Sequence, residues 1–150
     1  MFVLDSHCDT PSQIMRLRDL SMDNPYAHID FPNLKKGGVD ASFFALYPPG
    51  TMEPDAATRY ALEMIAGVND AVEASSDIAA FAKTPEEAFR NKDTGKISIF
   101  LGMENGLPIQ GSLALLRQFY RMGVRYMTLT HNTDNQICDS AAQGQRWGGL

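Results

Sequence analysis

The strongest constraint on the fold is the alternation of apolar runs with amphipathic segments along the chain. The runs at 39–47 and 96–103 are nearly continuously apolar, as expected of strands that are buried on both faces of a parallel sheet. Between them, the segment 54–75 repeats its apolar residues at helical spacing. The chain is therefore predicted to run strand, helix, strand, helix, strand, helix, strand, with parallel strands and right-handed crossovers.

The other predicted elements lie between turn or capping signals. They are a strand at 2–4, a short helix from Pro11, a helix at 84–93, a helix at 112–122 and a strand at 124–130. Phe2 and Leu4 are expected to be buried, and the helix at 112–122 places Leu113, Leu116 and Tyr120 on one stripe. The segment 26–38 is interpreted as a polar connection, and the tail from Asn132 as a long loop.

Composition favours one ordinary globular domain over residues 1–150. The chain is 44% hydrophobic and 21% charged, and its net charge is -5. No basic block extends beyond Lys35 and Lys36, so nucleic acid is not an expected partner. No apolar run approaches the length of a membrane span and no secretory signal is visible, so no membrane partner is expected.

The two cysteines point to a reducing compartment. Cys8 and Cys138 lack the C-x-x-C spacing and give neither a disulfide framework nor a zinc finger. We therefore expect a cytoplasmic location. Cys8 alternates away from its polar neighbours and is expected to be a small buried apolar residue.

Potential metal ligands follow three of the predicted strands. In an extended chain Asp5, His7 and Asp9 share one face, while Glu104 follows the third strand and His131 the fourth. In a (β/α)8 barrel the C-terminal ends of the strands meet at one rim, where active sites are built. Nitrogen and oxygen donors gathered there suit zinc.

Each of these residues also has a purely structural interpretation. The D-x-H-x-D run could be a solvated strand end, and the glycines around Glu104 could simply serve a turn. His131 could bond a loop carbonyl, and His28 is better explained as a surface histidine. Asp139 could either cap the terminal loop or line a substrate cleft.

Three motifs in this order resemble the membrane (renal) dipeptidase family of zinc peptidases, which are amidohydrolase-type TIM barrels. They are Asp-Ser-His-Cys-Asp at 5–9, Gly-Met-Glu-Asn-Gly at 102–106, and Arg-Tyr-Met-Thr-Leu-Thr-His-Asn at 125–132, with Asp139 and Ser140 downstream. The resemblance runs along the whole chain. It implies the N-terminal half of a TIM barrel, with parallel strands and helices outside.

The resemblance also implies the roles of individual residues. His7 and Asp9 would bind one zinc, and Glu104 would bridge two zinc ions. His131 would contact the substrate and stabilise the developing oxyanion. Asn105 departs from the glycine that commonly follows the bridging glutamate. The family's two further histidine ligands lie beyond residue 150, so we expect the chain to be part of a longer polypeptide and inactive by itself.

For the intact protein we expect zinc-dependent hydrolysis of dipeptides by a metal-bridging hydroxide, with His131 donating to the oxyanion. Asp5 would not bind the metal itself but would be a partner of a side chain that does. The alternatives are another amidohydrolase reaction, on N-acyl amino acids or cyclic amides, and a non-catalytic barrel fragment. The family resemblance further implies a homodimer.

Overall fold

The computed structural model of the chain describes residues 1–16, 18–146 and 148–149. Within these residues the strands are β1 (Leu4–Cys8), β2 (Ala41–Leu46), β3 (Ala79–Phe81), β4 (Ile97–Met103) and β5 (Val124–Met127). The helices are α1 (Pro11–Ile14), α2 (Phe31–Lys36), α3 (Pro54–Ala74), α4 (Pro85–Asp93) and α5 (Leu113–Met122), with a short 3-10 turn at Leu107–Ile109.

All strands belong to one parallel sheet centred on β4. β1 pairs with β2, and β2 pairs with residues 98–103 of β4. The other edge of β4 is shared, because β3 pairs with residues 97–99 and β5 with residues 101–103. The prediction of a parallel α/β fold is therefore confirmed.

The main core lies between one face of the sheet, called here the outer face, and the helices α3 and α5. Alternate residues of β4 point into it, including Ile99 and Leu101, and Phe44 joins them from β2. Met64 and Val68 of α3 are fully buried against this face. Among the described residues, no helix combines the length and the apolar character needed to cross a membrane.

Helix α4 packs instead against the opposite, inner face of the sheet. Its Ala88 forms a second buried cluster with Phe100 and Ala41, and Phe43 packs at the margin. Asn91 donates a hydrogen bond from Nδ2 to Ser98 Oγ (3.0 Å) near the start of β4. The N-terminal end of the inner face is thus covered, whereas its C-terminal end carries the residues described below.

Two elements were not predicted from the sequence. β3 consists of only three residues, too few for a recognisable apolar run between two helices. α2 lies in the segment 26–38, which was interpreted as a polar connection. Pro32 is in the first turn, and Asp30 accepts a hydrogen bond from Asn33 N as the N-cap.

Some predicted burial is wrong. Leu4 is 49% exposed, because β1 is an edge strand of the sheet and α4 covers only part of the inner face. On α5 the buried residue is Phe119, whereas Leu113 and Tyr120 are exposed. Periodicity located the helix correctly, but the direction of its buried face depends on where the sheet lies.

A cluster around Lys92 joins α4 to the start of β1. Lys92 donates from Nζ to Asp40 Oδ2 (2.7 Å), and this carboxylate also accepts from Val3 N (2.7 Å). The hydrogen bond from Lys92, followed by that from Val3, lowers the pKa of the Asp40 carboxyl below 3.8. A lowered pKa contributes stability above the unfolded-state pKa and loses it as the pH falls through the folded-state pKa.

We therefore predict that Lys92→Met lowers the free energy of unfolding near neutral pH by up to about 1 kcal/mol, the range of partly exposed ion pairs. The difference from the parent protein should shrink as the pH falls from 3.8 through the lowered pKa of the folded-state Asp40 carboxyl, where this group becomes protonated. Urea unfolding at a series of pH values measures this. Lys96→Met is the control for removing a lysine. A deficit that stays constant down to acidic pH would contradict the prediction.

Candidate metal centre

His7 and Asp9 lie at the C-terminal end of β1, where pairing with β2 is irregular. Asp5 pairs with Ser42 and Cys8 with Phe44, so a step of three residues in β1 matches a step of two in β2. Strict alternation predicted Asp5 and His7 on one face, which is wrong because of this bulge. Asp5 instead accepts from Ser42 Oγ (2.8 Å), while His7 turns to the inner face.

Four side chains predicted to form the site converge at this end of the sheet. His7 Nε2 lies 3.1 Å from Glu104 Oε2 and 3.4 Å from Asp9 Oδ1. His131 Nε2 lies 3.5 Å from the other oxygen of Glu104, Oε1. Glu104 is therefore the central member of the cluster, and its side chain is only 17% exposed.

The donor set of this cluster fits a divalent cation. One ligand atom each from His7, Asp9 and Glu104 lies within 4.8 Å of the other two. An imidazole nitrogen with two carboxylate oxygens is a combination that zinc accepts. His7 and Asp9 are partly exposed, which leaves the position accessible from solvent.

Glu104 is held by the turn that follows β4. Its backbone N donates to Leu46 O (3.1 Å), so the hydrogen bonding with β2 continues as far as Glu104. Asn105 comes next and has a left-handed backbone with φ 74°. This explains the sequence departure, since asparagine is among the few residues other than glycine that adopt this conformation readily.

Asn105 is fully buried and connects three loops around the site. Its Oδ1 accepts from Leu107 N (3.1 Å) and from Asn135 Nδ2 (3.1 Å). Its Nδ2 donates to Pro48 O (3.3 Å) after β2. The side chain thus fixes the turn that carries Glu104 relative to the loop beyond His131.

His131 is fixed by the long loop that follows it. Ser140 donates from Oγ to His131 O (2.7 Å). Asp139 accepts from Arg146 N (3.0 Å) and Gly149 N (2.9 Å), which answers the question left open by the sequence: it caps the loop. β5 ends at Met127 rather than Thr130, so His131 lies in the loop after the strand.

Two tyrosines that support the histidines were not predicted. Tyr126 Oη is 2.8 Å from His7 Nδ1, and Tyr47 Oη is 3.2 Å from His131 Nδ1. Burial, reinforced by the carboxylate of Glu104, raises the pKa of Tyr126 to about 12. Asp5 was expected to support a ligand side chain, but its Oδ1 accepts from the backbone N of His7 (3.2 Å) instead.

The remaining candidates lie outside the cluster. Cys8 is buried in the main core, as predicted, and burial raises the pKa of its thiol. Cys138 is also buried as a free thiol. His28 is exposed and lines an open cleft of about 650 Å³ beside His7 and Asp9. Arg18 and Tyr26 contribute to the same cleft.

Taken together, these features define an α/β protein with a candidate metal centre at the C-terminal ends of its parallel strands. The family model described as membrane dipeptidase (peptidase family M19) matches residues 1–150. The chain belongs to this family. One curated relative is Dipeptidase aclJ of Aspergillus oryzae (strain ATCC 42149 / RIB 40), which is 31% identical over 148 residues, 93% of this chain and 35% of the relative.

Solved structures agree on the fold. A probable dipeptidase, PvdM from Pseudomonas aeruginosa, is 19% identical with a TM-score of 0.82, covering 93% of this chain and 37% of that one. A metallo peptidase from Rhodobacter sphaeroides, liganded with a phosphinate mimic of the dipeptide L-Ala-D-Ala, is 22% identical with a TM-score of 0.77, covering 85% and 44%. The predicted fold class, half of a (β/α)8 barrel, is confirmed, and the chain spans about a third of the curated relative's length.

Proposed function

We propose that the protein hydrolyses dipeptides with two zinc ions bound at the cluster described above. The observation that carries this proposal is the convergence of His7, Asp9 and Glu104 within 4.8 Å, although they come from two strands that are not neighbours. Zinc bound there would supply Lewis acidity and a water that ionises near neutral pH. The substrate class is supported by family membership and by the relatives named as dipeptidases.

Within this chain, His7 and Asp9 would hold one ion and Glu104 would be shared between two. The two oxygens of Glu104 already face different groups, Oε2 toward His7 and Oε1 toward His131. This orientation supports a bridging role. The further ligands of the second ion would come from polypeptide beyond residue 150.

His131 would act on the substrate rather than on the metal. Its Nδ1 is engaged by Tyr47, which leaves Nε2 directed at the cluster. Protonated Nε2 can donate a hydrogen bond to an oxyanion that forms on the scissile carbonyl, a contribution of about 2.7–4 kcal/mol. The adjacent cleft, about 650 Å³ in volume, falls in the size range of small-molecule sites.

The test is an assay of the full-length protein on simple dipeptides after metal removal and reconstitution with zinc. Dipeptide hydrolysis should require zinc and should fall to background in His7→Ala, with loss of bound metal measured by elemental mass spectrometry. His28→Ala, which removes a histidine at the cleft but outside the cluster, is the control for metal content and should retain its zinc.

Two results would replace this proposal with one of its alternatives. Zinc-dependent cleavage of N-acetyl amino acids or cyclic amides, without dipeptide hydrolysis, would indicate another amidohydrolase activity. Unchanged metal content in His7→Ala would show that the cluster does not bind the ions. Cytoplasmic location and a homodimer stay predictions, checked by fractionation and by light scattering.

A further inference from the structure

The side chain of Tyr126 crosses the inner face of the sheet from β5 to β1. It passes directly over Gly102 of β4, where a Cβ atom would lie 2.1 Å from Cζ of the tyrosine ring. Only glycine at this position leaves space for the ring. The tyrosine side chain reaches His7, where Tyr126 Oη lies 2.8 Å from His7 Nδ1.

The ring is packed from the side as well. Phe43 of β2 lies with its ring centroid 5.1 Å from that of Tyr126, at an interplanar angle of 46°. Gly102 beneath and Phe43 beside the ring restrict where the hydroxyl can be. The hydroxyl is therefore a fixed hydrogen-bonding partner for one particular nitrogen of His7.

We propose that Tyr126 is a positioning residue that selects Nε2 of His7 as the metal-binding nitrogen, an inference that rests on the proposed function. A neutral imidazole carries one proton, on either Nδ1 or Nε2. When Nδ1 carries it and donates to Tyr126 Oη, the lone pair of Nε2 is free and points at Asp9 and Glu104. The same bond fixes the ring plane, so that less rotamer freedom is lost when a cation binds.

The alternative tautomer would work against metal binding. A proton on Nε2 would point between two carboxylates and would have to leave before a cation could bind. The contact between Tyr126 and His7 therefore acts on the affinity of the site, although the tyrosine does not touch the position of the ion.

The experiment compares Tyr126→Phe with Tyr120→Phe in the full-length protein. Tyr126→Phe keeps the ring over Gly102 and removes only the hydroxyl, whereas the control removes a hydroxyl from an exposed ring stacked under Arg125. Zinc affinity is measured by competition with a chromophoric chelator. We expect Tyr126→Phe to weaken binding by about 10- to 100-fold, and the control to bind like the parent.

The nitrogen of His7 that binds the metal is read in the zinc-loaded protein from the ¹⁵N shifts of its imidazole. The parent and Tyr120→Phe should show the metal on Nε2 and the proton on Nδ1, whereas Tyr126→Phe should show part of the population with the two nitrogens exchanged. Gly102→Ala should produce the same exchange while keeping the hydroxyl, because the added methyl displaces the ring.

The outcomes separate this inference from the proposed function. If zinc binding is lost in His7→Ala but Tyr126→Phe retains the parent's affinity and metal-binding nitrogen, the positioning role is wrong and the metal centre stands. If the parent protein binds no zinc through His7, the proposed function fails and the positioning role fails with it.

Discussion

Glu104→Gln is expected to remove both metal ions together and to lower dipeptide hydrolysis by roughly a thousandfold, since Lewis-acid assistance is worth several kcal/mol. The substitution keeps the shape of the side chain but removes its charge and halves its ligating oxygens. Because Glu104 is proposed to be shared between the two ions, each ion would lose a charged ligand. Metal stoichiometry and initial rates on one dipeptide measure the effect.

Glu63→Gln is the matched control for this variant. Glu63 lies on α3 in a surface ion pair with Arg59 (3.9 Å), so its substitution should leave both metal content and rate unchanged. A Glu104→Gln protein that loses only one ion would contradict the bridging role. Such a result would leave Glu104 as a ligand of a single site.

The second large effect is expected on stability, from Asn105→Ala. The substitution leaves Leu107 N and Pro48 O without their Asn105 partner, removes one of the two hydrogen bonds of Asn135 Nδ2, and places alanine in a left-handed conformation. Unpaired buried polar groups cost about 1–3 kcal/mol each and the backbone about 1–2 kcal/mol. We expect a loss of about 3–5 kcal/mol in the free energy of unfolding, measured with urea.

Two further variants separate the causes of that loss. Asn105→Gly also removes the hydrogen bonds, but glycine adopts the left-handed backbone conformation without steric cost. This variant should therefore be more stable than Asn105→Ala by about 1–2 kcal/mol. Asn132→Ala, at an exposed position of the same loop system, should change stability little. Equal destabilisation by glycine and alanine at position 105 would show that the backbone conformation carries no cost.

The sequence was sufficient to predict the parallel α/β fold and the meeting of four polar side chains. Both follow from periodicity and from one geometric rule, that parallel strands end at a common edge. His7, Glu104 and His131 could thus be placed together without coordinates. The family model, which matches the whole chain, supports the same fold.

The details around the site could not be predicted, because they depend on local departures from regular geometry. The bulge between Asp5 and Cys8 depends on the pairing with β2 and places His7 on the face opposite to Asp5. Tyr126 lies inside a predicted strand and resembles any core aromatic residue; only the space above Gly102 shows where its hydroxyl goes. The one sequence signal for this space was Gly102, which lies two residues before Glu104 and therefore, by alternation along β4, on the same face.

The position of β2 between β1 and β4 has a consequence for biosynthesis. His7 and Glu104, the proposed metal ligands, lie at the C-terminal ends of strands β1 and β4, which do not pair with each other. β2 must therefore pair with both strands before His7, Asp9 and Glu104 can come together. Contacts between such distant positions form slowly, since a long loop has to close first. A nascent chain that has not yet reached residue 104 would therefore lack one of the three proposed ligands, and on the proposed function the metal would bind only after β1, β2 and β4 have assembled.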